Sequence, residues 1–157
     1  MTDAAVRATS SEDLLALENQ VCFALAVASR SVIGMYRPLL EPLGVTHPQY
    51  LVMLALWERG PHSVRALGEA LRLEPATLSP LLKRLEALGY VRRDRDPGDE
   101  RALRVELTAS GLALREKALE VPPAVMRLLD MDVDQLAALR DALHEVIAAV
   151  EAAPARA

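Results

Sequence analysis

Residues 91–107 read VRRDRDPGDERALRVEL. Apolar and polar residues alternate near both ends of this stretch, and the turn-forming sequence DPGD lies between them at 96–99, so the pattern predicts a β-hairpin. Immediately before it, residues 63–89 contain two short helical patterns separated by Glu74-Pro75, which predicts a helix-turn-helix. A helix-turn-helix followed by a hairpin is a winged helix, and the hairpin is its wing.

The segment before the winged helix has the apolar spacing of a long helix. This helix is predicted to begin after Ser10 or Ser11, where Ser10 and Asp13 form a pair like a capping box, and to run to about Arg37 before Pro38 and Pro42 break it. One apolar stripe follows the helix at spacings of three and four residues, and consists of Leu14, Leu17, Val21, Leu25, Ala28 and Val32.

The next helices have start signals of their own. Thr46 and Gln49 predict a helix cap, with Pro48 in the first turn. In the second helix of the helix-turn-helix, Pro80 is expected in the first turn or at a bend, because a proline inside a helix costs ~3 kcal/mol. The buried side of the helix that Thr46 opens is expected to carry Tyr50, Met53, Leu54 and Trp57.

The last third of the chain returns to helix. Thr108 or Ser110 is predicted to cap a helix that is interrupted at 122–123, and Asp132 or Asp134 to open a final amphipathic helix. Helices at the two ends of the chain, separated by the winged helix, have little of one protomer's core to pack on. We therefore expect a two-fold dimer in which the termini interleave.

These elements define the predicted fold class and domains. Residues 1–157 form a single domain that is mainly α with a small β-hairpin. A winged helix-turn-helix DNA-binding region at 46–109 lies within an all-helical dimerisation frame formed by 10–45 and 110–153.

Composition and charge indicate a soluble protein with a basic centre. Apolar residues make up 52% of the chain and charged residues 25%, as in a globular domain. The longest uncharged apolar run, 21–29, is shorter than the ~20 residues that span a bilayer, and no signal sequence opens the chain, so we expect a cytoplasmic protein without a membrane partner. The net charge is −4, but segment 59–104 holds ten basic and seven acidic residues, a charge of +3 that leaves −7 elsewhere. A basic centre between acidic flanks is typical of a DNA-binding protein held by an oligomerising frame, although a solvated charged loop would give the same charge.

Side chains suited to double-stranded DNA lie on the second helix of the helix-turn-helix. Thr77 and Ser79 are placed to reach base edges, while Lys83 and Arg84 are placed to contact phosphates or flanking bases. An intramolecular carboxylate is the alternative partner for Arg84.

The wing carries a second group of cations. Arg95 and Arg101 flank its turn and can enter a minor groove, where negative potential is concentrated. Arg92 and Arg93 face opposite sides of a strand, so at most one of them points at DNA.

The hairpin at 94–101, followed by LTASG at 107–111, resembles the wing and the following helix start of MarR-family transcriptional regulators. The segments 18–23, 36–40, 48–51 and 78–86 resemble the organic-hydroperoxide-sensing (OhrR-type) branch, and the resemblance extends over roughly residues 15–120.

The resemblance implies a homodimer that binds an inverted-repeat operator, most simply as a repressor. It implies that the operator is released when a cysteine of the first helix, here Cys22, is oxidised by organic hydroperoxides. It also implies that Asp99 bonds Arg101 and braces the wing tip. The chain departs from the branch at Ala26 and His47, where tyrosines are usual, and at 74–76, where EPA replaces the common Asp-Ser-Gly.

Cys22 is the single cysteine, so it is a buried small residue, a reactive thiol or half of a bridge to another molecule. In a continuous first helix it lies about three turns from the N-terminus, beyond the helix dipole, so a thiolate there needs a donor from elsewhere. Of the tyrosines that hold the thiol in the branch that this chain resembles, Tyr36 is the one matched here. It follows Cys22 by 14 residues, or ~21 Å of continuous helix, so it would hold the thiol of the partner. His47 would favour the thiolate as an imidazolium, or is simply an exposed first-turn residue.

Two other classes of function compete with a peroxide-released regulator. A phenolic or other apolar small molecule could bind a pocket between helices, with Cys22 merely lining it. A thiol peroxidase using Cys22 is disfavoured because the sequence lacks a resolving cysteine, a phosphate-binding glycine loop, a metal-spaced His/Cys cluster and a hydrolase triad. We therefore predict no enzyme activity, no cofactor and no metal site.

Overall fold

The computed structural model describes residues 14–153 of the chain. Short 3-10 turns occupy Leu17–Asn19 and Glu41–Leu43. The strands are β1 (His62–Ser63), β2 (Val91–Asp96) and β3 (Asp99–Leu107). The α-helices are α1 (Val21–Leu40), α2 (His47–Arg59), α3 (Val64–Leu71), α4 (Pro75–Ala87), α5 (Ala109–Ala118), α6 (Val121–Leu129) and α7 (Val133–Ala152).

The three strands form an antiparallel sheet in the order β1-β3-β2. β2 and β3 are the predicted hairpin, with Val91 opposite Leu107, and their register shifts between Arg95 and Asp96. The sequence did not predict β1, which pairs His62 with Val105 of β3. A strand of two residues is too short to show an alternating pattern. The predicted ribbon is therefore a three-stranded sheet, and α3 and α4 precede its hairpin as the helix-turn-helix.

The start of the first helix differs from the prediction. The predicted cap at Ser10 and Asp13 lies outside the described residues. Within them, Ala16 and Gln20 have extended backbone conformations on either side of the 3-10 turn, and α1 begins at Val21. The Gln20 amide donates to two upstream backbone carbonyls instead of capping α1. The prediction of one continuous helix to Arg37 is therefore wrong.

Two prolines lie inside helices. α1 runs through Pro38 to Leu40, so the predicted break at Pro38 is wrong. Pro80 lies in the second turn of α4, which is unbroken from Pro75 to Ala87. The buried residues Leu78, Leu82 and Leu85 hold α4 against the core, and their burial offsets the hydrogen bond that Pro80 removes.

Local capping signals predicted the later helix starts well. Thr46 and Gln49 form the predicted capping box of α2. Asp132 and Gln135 form another at α7, which confirms Asp132 as its cap. α5 ends at Ala118, and α6 begins at Val121. The prolines at 122–123 lie in the first turn of α6, where a missing N–H costs little. Helix α6 itself was not predicted.

The core belongs to the centre of the chain rather than to its terminal helices, α1 and α7. Leu40 is the one buried residue of α1, and α7 has none. Tyr50 and Met53 are buried as predicted, but Leu54 is 40% exposed. No helix within residues 14–153 is long and apolar enough to cross a membrane. The fully buried large side chains are Leu40, Met53, Leu56, Leu67, Leu78, Leu82, Leu85, Val52 and Val105.

Candidate functional site

Helix α4 presents a polar outer surface because its leucines face the core. Thr77 and Ser79 are exposed near its start, and Lys83 and Arg84 are exposed further along it. Thr77 and Arg84 lie seven residues apart, and Ser79 and Lys83 four, so each pair shares one side of the helix. Within residues 14–153 neither Lys83 nor Arg84 forms an ion pair, so the structure does not bear out the carboxylate alternative for Arg84.

The two arginines at the start of the wing are bound within the chain. Arg93 pairs with Glu86 of α4 at 2.6 Å, and its backbone N–H donates to the same carboxylate at 3.1 Å. This hydrogen bonding by Arg93 lowers the pKa of Glu86. Arg92 pairs with Asp94 and with Glu106, each at 3.3 Å. These pairs tie β2 to α4 and β3, so they orient the wing rather than present free cations.

The wing tip leaves its cations free. Arg95 and Arg101 are exposed and form no ion pair with any residue that the structure describes. Asp99 does bond Arg101, but through the backbone N–H of Arg101 at 3.0 Å rather than through its guanidinium. Asp96 accepts the N–H of Gly98 at 2.8 Å in the same way. The two aspartates therefore shape the turn, and the guanidinium of Arg101 remains available.

Cys22 is exposed and is the second residue of α1. The prediction that it lies three turns into a helix is wrong, because the chain is extended at Gln20. The backbone N–H groups of a first helical turn have no partner within the helix, and together with the helix dipole they favour an anion. The first turn of α1 also contains no acidic residue. Cys22 therefore lies in the first turn of its helix and is open to solvent in the protomer.

Tyr36, His47, Tyr50 and Trp57 form an aromatic cluster between α1 and α2. The ring centroid of Tyr36 lies 5.1 Å from that of His47 and 6.1 Å from that of Tyr50. Tyr50 lies 6.4 Å from Trp57 in an edge-on arrangement. These separations are typical of packed aromatic pairs. The structure thus brings together Tyr36 and His47, two residues that the sequence assigned to one site.

Burial determines the protonation of this cluster. It lowers the pKa of His47 below 6.5, so the ring is neutral at pH 7 in the protomer rather than the predicted imidazolium. His47 is half-buried, so it is not a simple exposed first-turn residue either. Burial raises the pKa of Tyr36, and burial together with the charge of Tyr36 raises that of Tyr50. Both phenols therefore keep their protons and can donate hydrogen bonds.

Two of the grooves beside this cluster are lined by Tyr36 or by His47. One, of about 340 Å³, runs between α1, α6 and α7 and is lined by Tyr36, Met126 and Arg140 among others. The other, of about 750 Å³, lies between α1 and α2 and is lined by His47 and Arg37 among others. Neither groove is lined by Cys22, so the structure does not support the prediction that Cys22 lines a ligand pocket within one protomer.

The family of the chain follows from its relatives. The MarR family model matches residues 45–103, which contain the winged helix. The chain is 41% identical over 135 residues to the organic hydroperoxide resistance transcriptional regulator of Bacillus subtilis, a match that covers 86% of this chain and 92% of that protein. This chain belongs to the MarR family of transcriptional regulators. The resemblance to this family that the sequence shows in the hairpin and in α4 is thereby confirmed.

Other MarR-family relatives support the same fold. The regulator TtmR of Methylorubrum extorquens is 43% identical over 143 residues, covering 87% of this chain and 73% of that protein. Reduced AbfR bound to DNA, from Staphylococcus epidermidis, superposes with a TM-score of 0.73 at 33% identity over 90% of this chain and 99% of that one. Overoxidized AbfR bound to DNA gives 0.72. These relatives are regulators, which confirms the prediction against an enzyme.

Sequence reasoning missed two residues that shape this MarR-family site. Glu86 holds the start of the wing through Arg93, and its position seven residues before Arg93 gave no signal, because the two lie on different elements. Trp57 was assigned to the core, but its indole N–H donates to the carbonyl of Gly111 at 2.9 Å. A partner 54 residues away cannot be identified from local spacing.

Proposed function

We propose that this MarR-family protein is a homodimeric repressor that acts in the cytoplasm and binds an inverted-repeat operator. We further propose that it releases the operator when an organic hydroperoxide oxidises Cys22. The observation that carries the DNA-binding half is the division of arginines in the wing. Arg92 and Arg93 are paired within the chain, whereas Arg95 and Arg101 are exposed and have no ion-pair partner among residues 14–153, as suits groups that meet phosphates or a minor groove.

Helix α4 supplies the element that enters the major groove. Its exposed Thr77 and Ser79 are the candidates for base contacts, and Lys83 and Arg84 are the candidates for phosphate contacts. A two-fold dimer presents two such helices, and an inverted repeat places their target grooves about one turn, ~34 Å, apart. Operator affinity then depends on the separation that the dimer imposes on the two helices.

The terminal helices supply the dimer interface. Phe23 and Ile33 of α1 and Leu143 and Ile147 of α7 remain exposed in the protomer. Large apolar side chains left exposed along a helix are typical of a subunit interface, and obligate homodimers bury about 2,000 Å² or more. Within one chain, 14 residues, or ~21 Å of helix, separate Cys22 from Tyr36, so the two cannot touch. Dimerisation through α1 would bring Cys22 of one protomer to Tyr36 of its partner instead.

Oxidation of Cys22 follows from its exposed position at the start of α1. The thiolate sulfur attacks the terminal oxygen of the hydroperoxide, an S–O bond forms, the O–O bond breaks, and the alkoxide leaves as an alcohol after taking a proton from water. Cys22 becomes a sulfenic acid. Because the chain has no second cysteine and this arrangement places the partner's Cys22 ~21 Å away, the next thiol comes from a small thiol, which forms a mixed disulfide. Either product changes the polarity and size of a side chain within the proposed interface.

DNA binding before and after oxidation tests the proposal. The reduced protein should bind DNA from its own upstream region, a slight excess of an organic hydroperoxide should abolish that binding, and a thiol reductant should restore it. Cys22→Ser should bind and remain bound in peroxide. Absence of binding by the reduced protein would refute the DNA-binding half. Peroxide release of Cys22→Ser would refute the role of Cys22.

A second candidate keeps the operator and changes the trigger. The groove beside Tyr36 joins apolar walls from α6 and α7 to the guanidinium of Arg140, a combination suited to a small phenolic or other apolar ligand with one polar group. A Cys22→Ser protein that still releases the operator on addition of such a ligand would favour this trigger over oxidation.

A further inference from the structure

A line of contacts runs from the aromatic cluster to the base of the wing. Tyr36 packs on Tyr50, and Tyr50 packs on Trp57. The indole N–H of Trp57 then donates to the carbonyl of Gly111 at 2.9 Å. Gly111 lies in the first turn of α5, immediately after β3 and its cap residue Thr108. Trp57 is therefore the link between the proposed thiol-binding end of the cluster and the segment that leaves the wing.

The first turn of α5 is fixed closely to the base of the wing, which we define as Gly89 and Tyr90 before β2 and Thr108 after β3. A Cβ atom on Gly111 would lie 2.0 Å from the backbone oxygen of Tyr90, a distance that requires glycine. The backbone N–H of Thr108 donates to that same oxygen at 3.0 Å, and the Thr108 hydroxyl donates to the carbonyl of Gly89. Both strands of the wing are thus anchored at the point that Trp57 contacts.

We propose that Trp57 is a positioning residue that couples the Tyr36 end of the aromatic cluster to the base of the wing, so that oxidation at Cys22 changes the angle at which the wing meets DNA. This inference rests on the proposed function, because it requires Cys22 oxidation to act at Tyr36. It assigns the route inside the protomer, which the proposed function leaves open.

The chemistry of the contact suits this role. Indole is rigid and its only hydrogen-bond group is the N–H donor, so a shift of the ring moves or breaks the bond to Gly111. Tyr50 is buried and packs on the half-buried Trp57, so a displacement of the Tyr50 ring is passed to the indole. Gly111 in turn packs closely against the backbone of Tyr90, so a displacement of Gly111 also moves the base of the wing.

Trp57 can report on its own contact, because it is the single tryptophan of the chain. Intrinsic tryptophan emission is recorded while the DNA-free, full-length dimer is titrated with an organic hydroperoxide. We expect the emission to change in proportion to Cys22 oxidation, measured by mass spectrometry, and to return after reduction. Cys22→Ser should show no change. Unchanged emission of the wild type at full Cys22 oxidation would overturn the proposal.

A variant measures the coupling itself. Trp57→Phe keeps an aromatic ring against Tyr50 but removes the donor to Gly111. We expect the reduced variant to bind the operator and Cys22 to oxidise as in the wild type. The ratio of operator Kd between oxidised and reduced protein should fall by about fivefold or more, the lower end of typical coupling between sites. An unchanged ratio would overturn the proposal.

Tyr90→Phe is the matched control, because it also removes one hydrogen bond at the wing base. The Tyr90 hydroxyl donates to the carbonyl of Leu43 at 3.0 Å, away from the contact between Trp57 and Gly111. This variant should keep the wild-type Kd ratio. An equal loss in both variants would mean that any loosening of the wing base uncouples the protein, and would overturn the specific role of Trp57.

The two proposals fail in different ways. If peroxide oxidises Cys22 in the wild type and the operator stays bound, the redox trigger of the proposed function is wrong. If the wild type releases the operator but its tryptophan emission does not change and Trp57→Phe keeps the Kd ratio, the redox trigger stands and the route through Trp57 is wrong.

Discussion

The winged helix and the terminal helices differ in how much of their apolar surface they bury within the chain. α2, α3 and α4 close a core against β2 and β3, and their main apolar side chains are fully buried. The terminal helices α1 and α7 are longer than any of these, at 20 residues each, yet they bury one residue between them. α7 meets the helix-turn-helix through an exposed ion pair between Arg72 and Glu151. The winged helix buries its apolar side chains within the chain, whereas the terminal helices leave theirs exposed in the protomer, as the proposed dimer interface requires.

This difference assigns separate physical roles to the two regions. A helix that reads DNA must hold its side chains in a fixed arrangement, and the closed core beneath α4 provides that rigidity. A switch must have two arrangements of similar free energy, and an interface between chains is easier to rearrange than a packed core. The position of Cys22 at the start of α1, rather than in the winged helix, agrees with this division.

The largest expected effect tests whether the winged helix depends on its own core. Leu82 of α4 is fully buried, with 0% of its surface exposed. Leu82→Ala should lower the free energy of unfolding by about 2–5 kcal/mol, because it removes buried methyl groups and leaves a cavity. Urea unfolding followed by circular dichroism measures the change.

A second leucine just past the same helix provides the control. Leu88 is 45% exposed, so Leu88→Ala should change the free energy of unfolding by less than about 1 kcal/mol. Equal losses in Leu82→Ala and Leu88→Ala would show that the core does not lie where the structure places it.

The next effect concerns the surface that the protomer leaves open. Leu143 of α7 is 38% exposed, and Leu143→Asp would place a charge in the proposed interface, where desolvation without a partner is costly. We expect dissociation to monomers in sedimentation velocity at micromolar protein, with the circular dichroism of the winged helix retained. Glu145→Ala on the same helix should remain a dimer. A dimeric Leu143→Asp protein would place the interface elsewhere.

The third effect compares free and paired arginines within the wing. Arg101→Ala should weaken binding to every duplex and lower the slope of log K against log salt by about one, because one phosphate or groove contact is lost. Arg92→Gln, whose guanidinium is paired with Asp94 and Glu106, should change this slope much less. Fluorescence anisotropy over a range of salt concentrations measures both. Equal slopes for Arg101→Ala and the wild type would remove the wing tip from DNA binding.

Local signals explain what the sequence could predict. The alternation around 96–99 and the capping pairs Thr46 with Gln49 and Asp132 with Gln135 act within a few residues, so the hairpin and two helix starts were predictable. Each depends on a backbone pattern or on one side chain reaching a nearby N–H group. The exposed polar residues of α4 followed equally directly from the spacing of its leucines.

Features that depend on tertiary contacts could not be predicted in this way. The extended backbone at Gln20 moves Cys22 from the middle of a helix to its first turn, and periodicity alone does not show that break. The pair between Glu86 and Arg93 and the bond from Trp57 to Gly111 join separate elements. These contacts decide which arginines are paired and how the wing is anchored. The residue types of the site could therefore be predicted from the sequence, but their contacts could not.

The smallest expected effect concerns the ion pair between Arg93 and Glu86, which holds β2 of the wing against α4. Arg93 lowers the pKa of Glu86, so the folded protein holds this carboxylate in its charged form more strongly than the unfolded chain does. A group with a lowered folded-state pKa stabilises the fold above its unfolded value of about 4.3, and this contribution is lost as the pH falls through the folded value. Because the pair is partly exposed, it should contribute no more than about 1 kcal/mol.

Glu86→Gln tests this ion pair through its pH dependence. The variant should unfold at a lower urea concentration than the wild type at pH 7, and the gap should narrow below about pH 4, where the wild-type carboxylate loses its charge. Glu58→Gln is a suitable control, since Glu58 is an exposed carboxylate whose partner is the adjacent Arg59 rather than Arg93. A gap for Glu86→Gln that stays constant from pH 7 to pH 3 would mean that Arg93 is held by the shape of the hairpin rather than by the charge of Glu86.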